Sequence, residues 1–224
     1  MTGPASDPFG TAVGDWVAGR RAPLHLRTRR GVRLEHDLGA YFAPLSAPER
    51  WLLGLAGGLV VDVGCGPARH ARFLQARGLR AVGIDRSALA LATATALGLR
   101  LAVQADALHG PLPAGFGTAL LLDGNLGIGG TAAGAARLLD RLAGTAGDGA
   151  RLLVSGRAAR GPAHRTWVLR GEYLGTAGPW FDWLVPSLAG LTALAATAGW
   201  RREHALAVGT RYWASFRLDH RSEQ

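Results

Sequence analysis

A glycine pair flanking a cysteine, Gly64-Cys65-Gly66, ends the apolar run Leu59-Val60-Val61-Asp62-Val63 and leads into helical periodicity from Ala68 to Arg77, which Gly78 stops. Glycines at such a junction allow a tight turn and a close approach of backbone to a ligand. The first turn of the helix that follows presents unpaired N–H groups to a carboxylate or phosphate. A loop of this kind can also be purely structural, packing strand against helix. Asp85 narrows the choice. It lies 19 residues beyond Gly66, at the end of Ala81-Val82-Gly83-Ile84, where a carboxylate can accept both hydroxyl hydrogens of a ribose. The same aspartate could merely open the turn before Ser87, but its spacing to Gly66 favours a nucleoside.

Taken together, Val61-Asp62-Val63-Gly64-Cys65-Gly66-Pro67-Ala68-Arg69-His70 resembles the first motif of class I S-adenosylmethionine-dependent methyltransferases, and Gly83-Ile84-Asp85-Arg86-Ser87 resembles their second. Gln104-Ala105-Asp106-Ala107 is similar to the third, and Leu121-Leu122-Asp123-Gly124-Asn125 to the fourth. The resemblance spans about residues 45–218. It implies S-adenosylmethionine as cofactor, with S-adenosylhomocysteine as product. It also implies a division of labour. Gly64, Cys65 and Gly66 border the methionine and ribose parts, Asp85 with Arg86 the ribose, Asp106 and Ala107 the adenine, and Asp123 with Asn125 the methionyl end, while Asp62 orders the loop. Ala68 stands where the family often has a third glycine and is small enough to pack there. A nicotinamide dehydrogenase would need Gly-x-Gly-x-x-Gly, and Arg69 occupies that third glycine's position.

The bound sulfonium is already an activated methyl donor, so the protein must chiefly align a nucleophile and exclude water. A phenol, alcohol or protonated amine also needs a base, for which histidine is suited near neutral pH. His36 and His164 are the candidates, because the segments holding them flank the core and commonly form the acceptor pocket in the resembling family. Tyr41, Trp167, Trp180, Phe181 and Trp183 could form an aromatic wall for a planar acceptor and for the sulfonium charge, or could simply pack. The loop after Asp123 does not read Asn-Pro-Pro-Tyr or Asp-Pro-Pro-Tyr, the signature of amino methylation on nucleic acid bases. The expected reaction is methyl transfer to oxygen or nitrogen of a small metabolite. The alternatives are an RNA- or protein-directed methyltransferase and a non-catalytic binding protein.

These residues need a frame, and the rhythm of the chain supplies one. Short apolar runs alternate with capped helical segments: Ser87 to Leu97, Thr131 to Ala143 and Ser187 to Ala198 are helices, and Thr118 to Leu122 and Ala150 to Ser155 are strands. Alternation of this type predicts an α/β fold, a doubly wound, mostly parallel seven-stranded sheet with helices on both faces. Residues 1–14 read as a flexible tail and 15–56 as a helical lid segment, with Ser46-Ala47-Pro48-Glu49 spaced as a capping box. Residues 57–224 form the core, interrupted at about 157–186 by an insertion rich in tryptophan.

Composition bounds the remaining classes. Length and apolar content suit one α/β domain. The single cysteine, Cys65, rules out an intramolecular disulfide and any multi-cysteine metal centre, and no metal is expected. The net charge of +9 comes from 25 arginines and no lysine. That fits a GC-rich bacterial genome and arginines spread over a solvated surface, with Arg20 to Arg33 the one basic cluster; nucleic acid is not an expected partner. Neither a membrane span nor a signal-peptide pattern is evident, so a cytoplasmic monomer or homodimer is expected.

Overall fold

The computed structural model describes residues 6–157 and 163–219. In chain order the elements begin with α1 (Pro8–Val17), β1 (Leu24–Thr28), β2 (Arg33–His36), α2 (Ala47–Leu53), β3 (Val60–Val63), α3 (Arg69–Ala76), β4 (Ala81–Asp85), α4 (Ala88–Ala96) and β5 (Leu101–Gln104). They continue with β6 (Phe116–Leu121), α5 (Ala132–Thr145), β7 (Ala146–Arg157), β8 (His164–Tyr173), β9 (Thr176–Ala177), β10 (Phe181–Pro186), α6 (Leu188–Thr197), β11 (Trp200–Val208) and β12 (Arg211–Leu218).

The core is a seven-stranded sheet in the order β11-β12-β7-β6-β3-β4-β5. Strands β5, β4, β3, β6 and β7 pair in parallel, and β12 runs against both its neighbours. The expected doubly wound, mostly parallel sheet is what forms. All four residues of β3 are buried, as a strand covered on both faces requires. Leu138, Leu139 and Leu142 of α5 and Leu191 of α6 pack on one face, while Leu52 and Leu53 of α2, Leu74 of α3 and Leu91 of α4 pack on the other. The strand order reverses beside β3, so the loop after β3 opens at the switch point where such sheets bind ligands.

Every described α-helix except α3 starts at a side-chain cap. The side chains of Ser87, Thr131 and Ser187 accept the N–H groups of Ala90, Gly134 and Gly190 at 2.9, 3.1 and 3.0 Å. Ser46 and Glu49 complete the capping box of α2, with the Ser46 N–H donating to Glu49 Oε2 at 2.7 Å.

The N-terminal expectations need correction. Residues 1–5 lie outside the described residues, but 8–14 belong to α1 and not to a tail. Asp7 caps α1 through Gly10 N at 2.8 Å, and Ala12 and Val13 are fully buried. Gly10, one of the residues that suggested mobility, is a contact point. A Cβ on Gly10 would lie 2.8 Å from Leu89 Cβ of α4, so the glycine lets two helices cross closely. Nor is 15–56 uniformly helical, because β1 and β2 form a hairpin within it that turns at Gly31 (φ +85°).

That hairpin extends through long-range partners. Strand β8 pairs with β1, and β10 with β8, building a second, antiparallel sheet in the order β10-β8-β1-β2, with β9 added on β8. The described part of the 157–186 insertion is therefore regular strand, joined to the N-terminal segment across more than 140 residues of sequence. Helix α1 fills the space beneath this sheet, where Ala12 and Val13 meet Leu24, Leu38 and Tyr173. The buried Tyr173 hydroxyl donates to Asp15 at 3.0 Å.

Candidate functional site

Gly64 and Gly66 adopt φ of +69° and +53°, values that favour glycine. The N–H groups of Gly64 and Cys65 both donate to Ile84 O, at 2.8 and 3.0 Å, folding the loop back on β4. A Cβ on Gly64 would fall 2.5 Å from Ile128 Cδ1 and 2.9 Å from Asn125 Nδ2. Asn125 donates from Nδ2 to Val63 O and Gly64 O, at 2.9 and 2.8 Å, so its amide pins the loop. Asp85 receives Gly66 N on one carboxylate oxygen and Ser87 N on the other, each at 2.9 Å. Burial raises the Asp85 pKa, against the pull of those two N–H groups. Asp106, half-exposed beyond β5, accepts Leu108 N at 2.8 Å, and Ala107 beside it is buried. Arg86 is exposed, and its carbonyl accepts Gln104 Nε2 at 3.3 Å.

Two residues of the loop sit beneath it. Burial pushes the Cys65 thiol well above its ordinary range, which removes it as a nucleophile. Asp62 is 1% exposed, and burial raises its pKa to about 6, with the nearby His70 and the Ala71 N–H opposing. Its second carboxylate oxygen has no partner among the described residues.

A charged network that the motifs do not reveal joins α2, α3 and the end of β6. Arg69 donates to Glu49 and, at 3.2 Å, to Asp123, while Arg211 reaches Asp123 at 3.3 Å. His70 Nε2 lies 3.4 Å from Glu49. Burial pulls the Glu49 carboxyl up, but hydrogen bonds from His70 and Ser46 and the Arg69 charge outweigh it and hold the group far below the usual range. Glu49, His70 and Asp123 could in principle ligate a cation, yet the Arg69 guanidinium already lies among them. Asp123 holds φ +53°, uncommon for a residue with a side chain, and its N–H donates to Ser155 Oγ at 2.9 Å.

Above the loop, Phe9 of α1 comes within 3.5 Å of where a Gly66 Cβ would be, and Tyr41 within 3.9 Å. Phe9 meets Tyr41 edge-on at 5.4 Å between ring centres. The Tyr41 hydroxyl is 2.8 Å from His36 Nε2. Burial lowers the His36 pKa and raises that of Tyr41, the latter with help from the carboxylates of Asp123 and Asp85. On the other flank, the Trp183 indole lies against Gly127, where a Cβ would come within 2.3 Å of its ring, and Phe181 meets Trp183 edge-on at 6.1 Å.

The family segment described as a methyltransferase domain matches residues 61–123, which hold the glycine loop, Asp85, Asp106 and Asp123. A methyltransferase of Bacteroides fragilis, solved with S-adenosyl-L-homocysteine, is similar at 25% identity over 95% of both chains, with a TM-score of 0.85. The chain is thereby recognised as a class I S-adenosylmethionine-dependent methyltransferase.

Two further solved structures share the fold of this methyltransferase. One is the 1,6-didemethyltoxoflavin-N1-methyltransferase of Burkholderia thailandensis, with 16% identity, 98% and 94% coverage of this and that chain, and a TM-score of 0.62. The other is the sugar N-methyltransferase KedS8 of a Streptoalloteichus species, with 17% identity, 82% and 94% coverage, and a TM-score of 0.58. No curated protein matches the chain. The site fits the cofactor of the family: at Gly66 no atom lies closer than 3.5 Å to where a Cβ would be, so backbone is open at the switch point, and Asp85 keeps lone pairs free beside its two N–H partners.

The methyltransferase gathers only part of the predicted site. His36 and Tyr41 meet, and Trp183 reaches the loop after β6. His164 is exposed at the opposite end of β8 from the strand positions level with β2, roughly 25 Å away at about 3.3 Å per residue. Trp167 is 39% exposed beside Arg165, and Trp180 lies between the guanidinium groups of Arg29 and Arg170, at 5.0 and 4.8 Å. As site residues, Phe9, Glu49, Arg69 and Arg211 escaped sequence reasoning. Local signals marked Glu49, in the capping box, and Arg69, at the third-glycine position.

Proposed function

We propose that this methyltransferase moves a methyl group to oxygen or nitrogen of a small-molecule acceptor held between the glycine loop and the second sheet, with His36 taking up the acceptor's proton. The observation that carries the reading is the 2.8 Å contact of His36 Nε2 with the Tyr41 hydroxyl above Gly66. Burial keeps the imidazole neutral near pH 7, the state a proton acceptor needs.

When bound, S-adenosylmethionine supplies a sulfonium methyl group already activated for displacement. Asp85 would hold its ribose hydroxyls, Asp106 and Ala107 its adenine, and Arg69 and Asp123 the charged methionyl end. Phe9, Tyr41 and Trp183 would exclude water and hold a planar acceptor. Tyr41 would orient His36 by accepting its Nε2–H, which leaves the Nδ1 lone pair to take up the acceptor's proton.

A nucleic acid acceptor has less support. In the Arg20–Arg33 cluster, Arg20 is engaged with Asp15, Arg21 with Trp16, Arg27 and Arg33 with Glu172, and Arg29 with Trp180, so five of its six arginines are held in contacts within the chain. Two fold relatives are described by small acceptors, a toxoflavin precursor and a sugar, which favours the same class for this chain. Calorimetry with S-adenosylmethionine, followed by turnover of acceptor libraries, tests the reading. Absent cofactor binding overturns it, and turnover of any acceptor excludes a purely non-catalytic role.

A further inference from the structure

Arg157 and Arg211 stand directly opposite each other where β7 pairs with β12. Directly opposed partners project from the same face of a sheet, and like charges placed so repel. Arg157 is the last residue of β7, at the carboxyl end where a doubly wound sheet takes its ligands. Both side chains are exposed. Arg211 extends to 3.3 Å from Asp123, and its guanidinium lies 5.5 Å from the centre of the Trp213 ring. Asp123 is already shared, because Arg69 approaches its other oxygen at 3.2 Å. Among the described residues no carboxylate pairs with Arg157, so this rim has cations in excess. Beneath it Trp213 is 4% exposed, and its indole N–H has no acceptor among the described residues.

The repulsion does not serve the fold. It suits an anion lying across the pair, since two guanidinium groups form a fork for the oxygens of a carboxylate or phosphate. We infer that Arg157 and Arg211 bind the acid group of the acceptor, which is therefore a small organic anion. The inference deepens the small-molecule reading and rests on it. Asp123 sets the limit of the fork by holding Arg211 on one side, leaving Arg157 to close on the ligand from the other.

Calorimetric titration of benzoate, phenyl phosphate and neutral benzamide into protein saturated with S-adenosylhomocysteine tests this and separates carboxylate from phosphate. At least one anion is expected to bind, with benzamide weaker by about ten-fold or more. R157Q is expected to weaken that anion by at least about five-fold. Its thermal midpoint should hold or rise, since relieving the repulsion cannot cost the fold. R211Q should weaken the same anion, and its combination with R157Q should leave benzamide unaffected. Equal binding of benzamide, or an unchanged anion affinity in R157Q, overturns the inference. If S-adenosylhomocysteine itself does not bind, the methyltransferase reading falls. The same titrations on the free protein then decide whether the fork holds anions.

Discussion

The Tyr41 hydroxyl and His36 Nε2 lie 2.8 Å apart, brought together by the end of β2 and the short turn that follows it. Phe9 packs against both rings, at 5.4 Å from Tyr41 and 6.4 Å from His36, so α1 covers one side of the pair.

His36→Gln should lower kcat by about 100-fold or more for an acceptor that must lose a proton, with little change in cofactor affinity. Because burial lowers the His36 pKa, the wild-type rate should persist below the ordinary histidine range before falling as the imidazole protonates. The pH–rate profile of the variant should lack that acidic limb. A limb that survives in His36→Gln would assign the base elsewhere.

Asp62 gives a stability prediction of definite sign. Its folded pKa of about 6 stands above the ordinary value of 3.8, so the folded state binds more protons between those limits and stability falls as pH rises through that window. Asp62→Asn removes the buried charge and should stabilise the protein by about 1–3 kcal/mol at pH 8, with the gain vanishing below about pH 4. Urea unfolding at the two pH values reads the difference.

Glu49 acts in the opposite direction. Its folded pKa lies below the ordinary value of 4.5, so its stabilisation is complete above that value and is lost as pH falls below it. Glu49→Ala removes both a helix cap and the carboxylate facing Arg69, whose side chain is only 14% exposed. A loss of about 3 kcal/mol is expected in urea unfolding at pH 7. A loss within about 0.5 kcal/mol would mean that Arg69 finds other compensation.

Gly64→Ala must place a methyl group at positive φ within 2.5 Å of Ile128 and 2.9 Å of Asn125. Strain and overpacking together should cost about 2–4 kcal/mol, divided between folding and cofactor binding. Gly78→Ala is the control: it shares the positive φ but meets nothing within 4 Å, so only stability should fall. Calorimetry with S-adenosylhomocysteine distinguishes the two.

Trp183→Ala opens the wall beside Gly127 and should raise KM for the acceptor by about ten-fold while the cofactor Kd changes little. A matched loss in cofactor affinity would instead assign the indole to the cofactor side.

The βα units, most of their caps and the glycine loop were legible in the sequence because their determinants are local. A strand followed by Gly64-Cys65-Gly66, an aspartate at the end of the next strand and a serine or threonine before α2, α4, α5 and α6 specify geometry within a few residues, and the structure has the same units. Residues 8–14 were misread for the complementary reason. Gly10 weakens a helix considered alone, and only the crossing with α4 shows why it is there.

What the tertiary structure alone decided is the company these residues keep. Nothing near His25 announces that it will stand opposite Glu172, and Asp123 gains Arg69 and Arg211 from segments 54 and 88 residues away. Alternating strand residues state that a partner strand is needed, never which one, so the second sheet and its placement over the glycine loop emerged only when the chain closed on itself. The sequence by itself determined the glycine loop and the place of Asp85 beside it, since that geometry is built from consecutive backbone and one spaced carboxylate. The charged network at Asp123 and the aromatic contacts of Phe9 were decided by side chains that only folding brings together.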